Sequence, residues 1–153
     1  MRRTVRSAAR VITGSDFSRR SILRAYPDLD PAKVVAVANA ASGDFRPLPR
    51  EKAAAAVAAR FAIAAPFVLS VGDLQPRKNH VGLIAAFAEL LRACPQLPHH
   101  LVLAGKDTWH SPRVREAAGA SGAGDRIHFT GWVTDAELLQ LYNASDLFVF
   151  PSF

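Results

Sequence analysis

The chain has 153 residues, enough for one ordinary domain with a core but short for a two-domain enzyme. Half of the residues are hydrophobic and 21% are charged, which excludes disordered and fibrous classes. The formal charge of +6 is uneven: residues 1–60 hold twelve Lys/Arg against five Asp/Glu, a net of +7, and residues 61–153 hold seven against eight, a net of −1.

A basic front can grip nucleic acid or acidic lipid head groups. Here the arginines are scattered with no interleaved aromatics, so the reading is a solvated basic surface and no nucleic-acid partner is expected. The single cysteine, Cys94, lies in an apolar helical run; it reads as a small core residue and fits a reducing compartment. Met-Arg-Arg at the start has the charge of a signal peptide, but the apolar run that should follow is missing before Asp16. No segment approaches the roughly 18 apolar residues of a membrane span. The expectation is a cytoplasmic protein with at most peripheral membrane contact.

In chain order, a short Arg/Ala-rich helix from Thr4 leads into a strand over 10–13, broken at Gly14-Ser15-Asp16. Ser15 or Asp16 then caps a helix to about Tyr26, ended by Pro27. A strand over 33–37 follows, then a turn-rich stretch with Pro47 and Pro49 that reads as a linker, and an Ala-rich helix over 51–60.

After Pro66 the pattern changes. Apolar runs at 67–71, 101–104, 126–130 and 147–150 alternate with helices at 80–94, 111–120 and 135–143. Strands apolar on both faces and alternating with helices predict an α/β fold, a doubly wound, Rossmann-like parallel sheet, preceded by a short α/β segment. His99-His100 reads as a surface loop before the second of these strands. Leu147 to Phe150 would form an exposed apolar edge, so the chain is expected to be a fragment of a longer one.

In such a sheet the first and fourth strands are neighbours, and ligands bind beyond their carboxyl ends. That places the loop Gly72 to Asn79 opposite Pro151 to Phe153. Gly72 permits a tight turn, Asn79 is suited to cap the following helix, and the helix terminus favours an anion. Arg77 and Lys78 add two cations, each worth up to about 4 kcal/mol against a phosphate oxygen at an effective dielectric of 20. The helix dipole adds only about 0.3–1 kcal/mol. The three-glycine dinucleotide fingerprint and the P-loop Gly-Lys-Ser/Thr are both missing, which disfavours oxidoreductases and P-loop NTPases. The five histidines have no ligand-like spacing, so no metal and no cofactor are expected.

Taken together, Val11 to Arg19, Ser70 to Asn79, Gly82 to Phe87, Leu101 to Gly105, Arg126 to Val133, Asp135 to Leu138, Leu141 to Asp146 and Val149 to Ser152 resemble, in order, the retaining nucleotide-sugar-dependent glycosyltransferases of the GT-B fold, group 1 or family four. The resemblance implies an incomplete GT-B pair of domains: residues 1–60 as the tail of an acceptor domain with its linker, and 61–153 as the first part of a nucleotide-sugar domain. It implies sugar transfer to an acceptor hydroxyl with retention, the acceptor being a polysaccharide or glycolipid precursor at the inner face of the membrane. Arg77, Lys78 and Gly72 would hold the donor diphosphate, and Gly105, Gly131, Trp132 and Val133 would lie near the base. Trp109 and Trp132 otherwise read as packing residues at loop edges.

Two departures stand out. Asn39-Ala40 replaces the Asn-Gly of many relatives, and Asp73 stands where some have arginine. The family's glutamate pair would lie beyond Phe153, so no catalytic residue is expected in this chain and the isolated chain is expected to be inactive. The alternatives are a non-catalytic nucleotide-diphosphate-binding module and half of a split enzyme.

Overall fold

A computed structural model describes residues 2–64 and 66–153. Met1, part of the basic start, lies outside them. The chain divides into two compact units, residues 1–45 and 46–153.

The first unit is a small α/β piece. Helix α1 (Arg2–Ser7) precedes strand β1 (Val11–Thr13), helix α2 (Asp16–Ala25) and strand β2 (Val34–Ala36). β1 and β2 pair in parallel with Val11 opposite Val34. Ser15 is the cap of α2: its hydroxyl accepts from the Ser18 N–H at 3.2 Å, while Asp16 occupies the first turn. The Arg19 side chain donates to the Val34 carbonyl at 2.8 Å and ties α2 to β2.

The second unit opens with helix α3 (Arg50–Phe61), followed by β3 (Phe67–Val71), α4 (His80–Ala93), β4 (His100–Ala104), α5 (Ser111–Ala120), β5 (Ile127–Gly131), α6 (Asp135–Ala144) and β6 (Leu147–Phe148). The four strands make one parallel sheet in the order β5-β4-β3-β6. The continuous apolar runs follow from burial on both faces. Along β4, Leu101 and Leu103 face one core with Leu83, Ile84 and Phe87 of α4 and Val114 of α5. Val102 and Ala104 face the other, with Ala53 and Val57 of α3 and Leu141 of α6.

The Ala-rich helix expected over 51–60 packs within the second unit, where Ala53 and Val57 are buried against α6 and the sheet. Asn143 fixes the approach to it, accepting from the Leu48 N–H at 2.8 Å and donating to the Arg46 carbonyl at 3.1 Å. Arg50 pairs with Asp146, and Arg60 with Glu137 at 2.6 Å. Strand β6 is shorter than its apolar run: only Leu147 and Phe148 pair with β3, and the Val149 N–H adds one further bond to the Leu69 carbonyl at 2.8 Å. It occupies an edge, with Leu147, Phe148 and Phe150 all exposed. Cys94 is half-buried at the end of α4, so its placement in the core is also corrected.

Of the two histidines expected in a loop before the second strand, His99 lies there, half-buried, and His100 does not. His100 is the first residue of β4, and its Nδ1 lies 2.6 Å from Nε2 of His128 on β5, the rings stacked at 5.0 Å. His99 Nε2 lies 3.3 Å from the Asp146 carboxylate. Burial is the main cause that lowers the pKa of both His100 and His128 from 6.5, and His100 is lowered further by His128 and Arg126. A histidine with a depressed folded pKa binds fewer protons than its unfolded counterpart, so its stabilising effect is complete above about 6.5 and is lost as pH falls below that value. Urea unfolding should thus show a midpoint that drops in mild acid, and His100→Gln with His128→Gln should flatten the drop. An equal drop in the double variant would contradict this assignment.

Candidate functional site

The loop from Gly72 to Asn79 leaves the carboxyl end of β3 and enters α4 through a single 3-10 turn at Pro76–Lys78. Leu74 is buried and pins the middle of the loop into the core beneath α4. Its N–H donates to the Lys106 carbonyl at 3.0 Å, and its carbonyl accepts from the Thr108 hydroxyl at 2.5 Å. Asp73 turns towards the same neighbouring loop, its carboxylate accepting from the Lys106 N–H at 3.2 Å. The residue that breaks the resemblance at this position is thus a clasp between the loops that follow β3 and β4.

Gly72, Gly105 and Gly131 end three adjacent strands side by side. The Gly72 N–H donates to the Ala104 carbonyl at 2.8 Å, and the Gly105 N–H donates to the Gly131 carbonyl at 2.9 Å. At Gly105 the requirement for glycine is steric. A Cβ there would sit 2.1 Å from the Gly72 carbonyl oxygen and 2.9 Å from the Asp73 nitrogen, both backbone atoms that have no freedom to withdraw. Gly72 itself has φ of +149°, and Gly131 has φ of +70°. Two of the three turns are thus filled from within the chain, Gly105 by the Gly72 backbone and Gly72 by the Lys78 stem, and Gly131 alone of the three faces open space.

Arg77 and Lys78 stand at one end of this edge. Arg77 is exposed and its Nε donates to the Gln75 side chain at 3.1 Å. Lys78 is half-buried; its stem passes over Gly72, and its ammonium rests 4.0 Å from the centre of the Phe150 ring. Burial lowers the Lys78 pKa from 10.5, repulsion from Arg77 lowers it further, and Asp73 opposes both. Two adjacent cations that repel each other would both gain from an anion between them. Across the crevice, the Ser152 hydroxyl and the Phe153 N–H both bond the Arg77 carbonyl at 2.9 Å. The segment after β6 thus faces this loop.

Asn79 does not cap α4 with its side chain. It adopts a left-handed conformation, φ 56°, and its amide lies over Gly82, where a Cβ would come within 2.5 Å of Oδ1. Trp132 is 63% exposed and Trp109 81% exposed, so neither is a packing residue. Trp132 stands free beside Gly131, whereas Val133 is half-buried against the core beneath α3 and α6. The structure groups Gly72, Gly105 and Gly131 along one sheet edge with Lys78 at its end, and leaves Trp132 and Val133 at the β5 side. Sequence reasoning missed Phe150 as the rest for Lys78 and Asp73 as the clasp. An aromatic residue just past a neighbouring strand was the available signal for the first. Among the described residues no group of three or more His, Cys, Asp or Glu could hold a metal ion, and no helix is long and apolar enough to cross a membrane.

Three comparisons bear on this geometry. The family model described as Glycosyl transferases group 1 matches residues 58–153. The chain is 32% identical over 149 residues to the O-antigen chain mannosyltransferase B of Escherichia coli, covering 96% of this chain and 38% of that protein. It is 32% identical over 157 residues to a D-inositol 3-phosphate glycosyltransferase of Kineococcus radiotolerans, covering 97% of this chain and 35% of that one. Among solved structures, Anabaena HepE in complex with UDP and glucose superposes with a TM-score of 0.79 at 21% identity, over 97% of this chain and 39% of that one. The chain thus spans less than two fifths of these proteins, and the superposition gives the GT-B type of Rossmann-like fold.

Proposed function

Because the chain belongs to the group 1 glycosyl transferases, we propose that residues 46–153 bind the nucleotide diphosphate of a sugar donor, for transfer of the sugar to an acceptor hydroxyl with retention. The observation that carries this reading is the edge of three glycine turns with the Arg77-Lys78 pair at its end. In it Lys78 and Arg77 hold the diphosphate and lower the energy of the departing nucleoside diphosphate by neutralising the charge it acquires. Gly105 lets the loops after β3 and β4 close on each other beneath the donor, Gly72 lets the Lys78 stem lie across its turn, and Gly131, Trp132 and Val133 flank the base. The transfer itself belongs to proteins of which this chain spans under two fifths, so the expectation for the 153 residues alone is binding without turnover.

The two side-chain cations supply the charge that a metal would otherwise bring, so donor binding is proposed to need no metal ion. Calorimetric titration with UDP tests this: saturable binding should be the same with magnesium and with a chelator present, and a magnesium requirement or no binding would overturn it. The O-antigen chain in the name of one relative supports a polysaccharide or glycolipid precursor as acceptor, and a reaction at the inner membrane face is proposed with it. The claim of retention is read from the anomeric configuration of the product in a sugar-transfer assay; inversion would remove it.

A further inference from the structure

On the far side of the same loop lies a second cavity, of about 420 Å³, between the amino-terminal ends of α4 and α5. Pro76 and Asn79 line it from the loop, His80 and Gly82 from α4, and His110 and Arg113 from the start of α5; no lining residue is acidic. The first amides of a helix have no partner within it, and each such end carries about half a positive charge. Here two helices, of 14 and 10 residues, bring their amino ends to one cavity, the free amides being those of α4, since at α5 the Ser111 N–H donates to the Thr108 carbonyl at 3.1 Å and Pro112 has none. In α4 the internal bonding begins only at the Leu83 N–H, which reaches the Asn79 carbonyl at 3.0 Å.

Two side chains add to the helix ends. His80 is 2% exposed, lines the cavity, and has an Nδ1 with no hydrogen-bond partner. A buried polar atom left unpaired is costly, and the large majority have a partner in the protein, water or an ion, so the unpaired Nδ1 of His80 calls for one. Arg113 is exposed at the cavity and makes no ion pair or hydrogen bond among the described residues. The carboxylates of the same loops are turned to other partners: Asp73 accepts from Lys106, and Asp107 is held by Arg115 at 3.0 Å. The surroundings are positive enough that Lys78 and His110 lower the His80 pKa further, after burial, the largest cause.

We propose that this cavity, on the opposite side of the loop from the Arg77 and Lys78 cations, is an anion site that takes a phosphate dianion, either free or as a monoester. Neither Arg77 nor Lys78 lines it; the Lys78 ammonium points the other way, to Phe150 beside β6. A phosphate here would accept from the amides at the start of α4 and pair with the Arg113 guanidinium, with His80 beneath it. The inference stands apart from donor binding, since it needs neither a nucleotide nor the glycine edge.

The test is a titration of the whole chain with inorganic phosphate and, separately, with glycerol phosphate, followed through the imidazole proton signals. Saturable shifts of the His80 and His110 signals are expected, and the tighter of the two probes shows whether the free or the esterified dianion is preferred. Arg113→Gln should weaken binding about tenfold or more, as loss of a charged hydrogen bond does. Lys78→Ala, which removes a charge that acts on His80 but does not line the cavity, should weaken phosphate there far less than Arg113→Gln does, while weakening UDP strongly. His80→Gln asks whether the buried ring contributes; Arg113, being exposed, can be replaced without disturbing the core. The proposal is overturned by the absence of saturable shifts with both probes, by an affinity unmoved by Arg113→Gln, or by loss of phosphate binding in Lys78→Ala, which would assign the phosphate to the donor loop.

Discussion

Gly105→Ala should destabilise the second unit by about 3 kcal/mol, the upper end of what overpacking costs when neighbours have no room to move. The added methyl would meet the carbonyl oxygen of Gly72 at 2.1 Å, so the loops after β3 and β4 would have to part. Parting them breaks the bonds from Leu74 to Lys106 and from Lys106 to Asp73, which set the loop that carries Arg77 and Lys78. The variant should therefore lose nucleotide affinity as well as stability. Gly119→Ala is the control, because it lies on α5 with open space around it and alanine favours a helix. Urea unfolding of both variants reads the difference, and a Gly105→Ala chain as stable as the original would show that the close approach is not a constraint.

Lys78→Ala should weaken UDP binding by roughly ten- to hundredfold, the range of a charged hydrogen bond of about 1.5–3 kcal/mol. Arg77→Ala should cost less, because its guanidinium is exposed and screened by solvent, whereas the Lys78 ammonium is held against Phe150. The same asymmetry extends to Phe150→Ala, which leaves the charge in place and removes only the surface that positions it. That change should fall between the wild type and Lys78→Ala in UDP affinity. Calorimetry of the three variants gives the ranking directly, and an affinity loss larger for Arg77 than for Lys78 would reverse the assignment of the two cations.

How far these features could be read in the sequence depended on whether their causes are local. The runs at 67–71 and 101–104 are apolar at every position because the strands are buried on both faces, and that alone marks a parallel sheet core. The neighbouring of β3 and β6 follows from the topology of such sheets, and the pairing of Val68 with Leu147 shows it. The turn at Pro76–Lys78 with its two cations lies in one stretch of chain and was equally visible.

Features made by distant partners were not. Alanines at 53–56 are compatible with a solvated linker helix, and only the packing of α3 on α6 reveals that Ala53 is core. Asn79 satisfies a capping preference in sequence, yet the incoming 3-10 turn forces it into the left-handed region and moves its side chain over Gly82. His100 and His128 lie far apart in sequence and meet only because β4 and β5 pair; polar residues before a strand ordinarily indicate a loop. The value of Gly105 is of the same kind, since its constraint is the backbone of Gly72. In each case a non-local contact set the role, and residue type alone allowed another.

The central claim is that the loop from Gly72 to Asn79 grips the diphosphate of a nucleotide. It is tested most directly by comparing the affinities of the 153-residue chain for UDP and for uridine in the same calorimetric experiment. UDP should bind saturably and far more tightly than uridine, with most of that advantage lost when Arg77 and Lys78 are both replaced by alanine. Equal affinities for the two, or a preference for UDP that survives the double replacement, would contradict it.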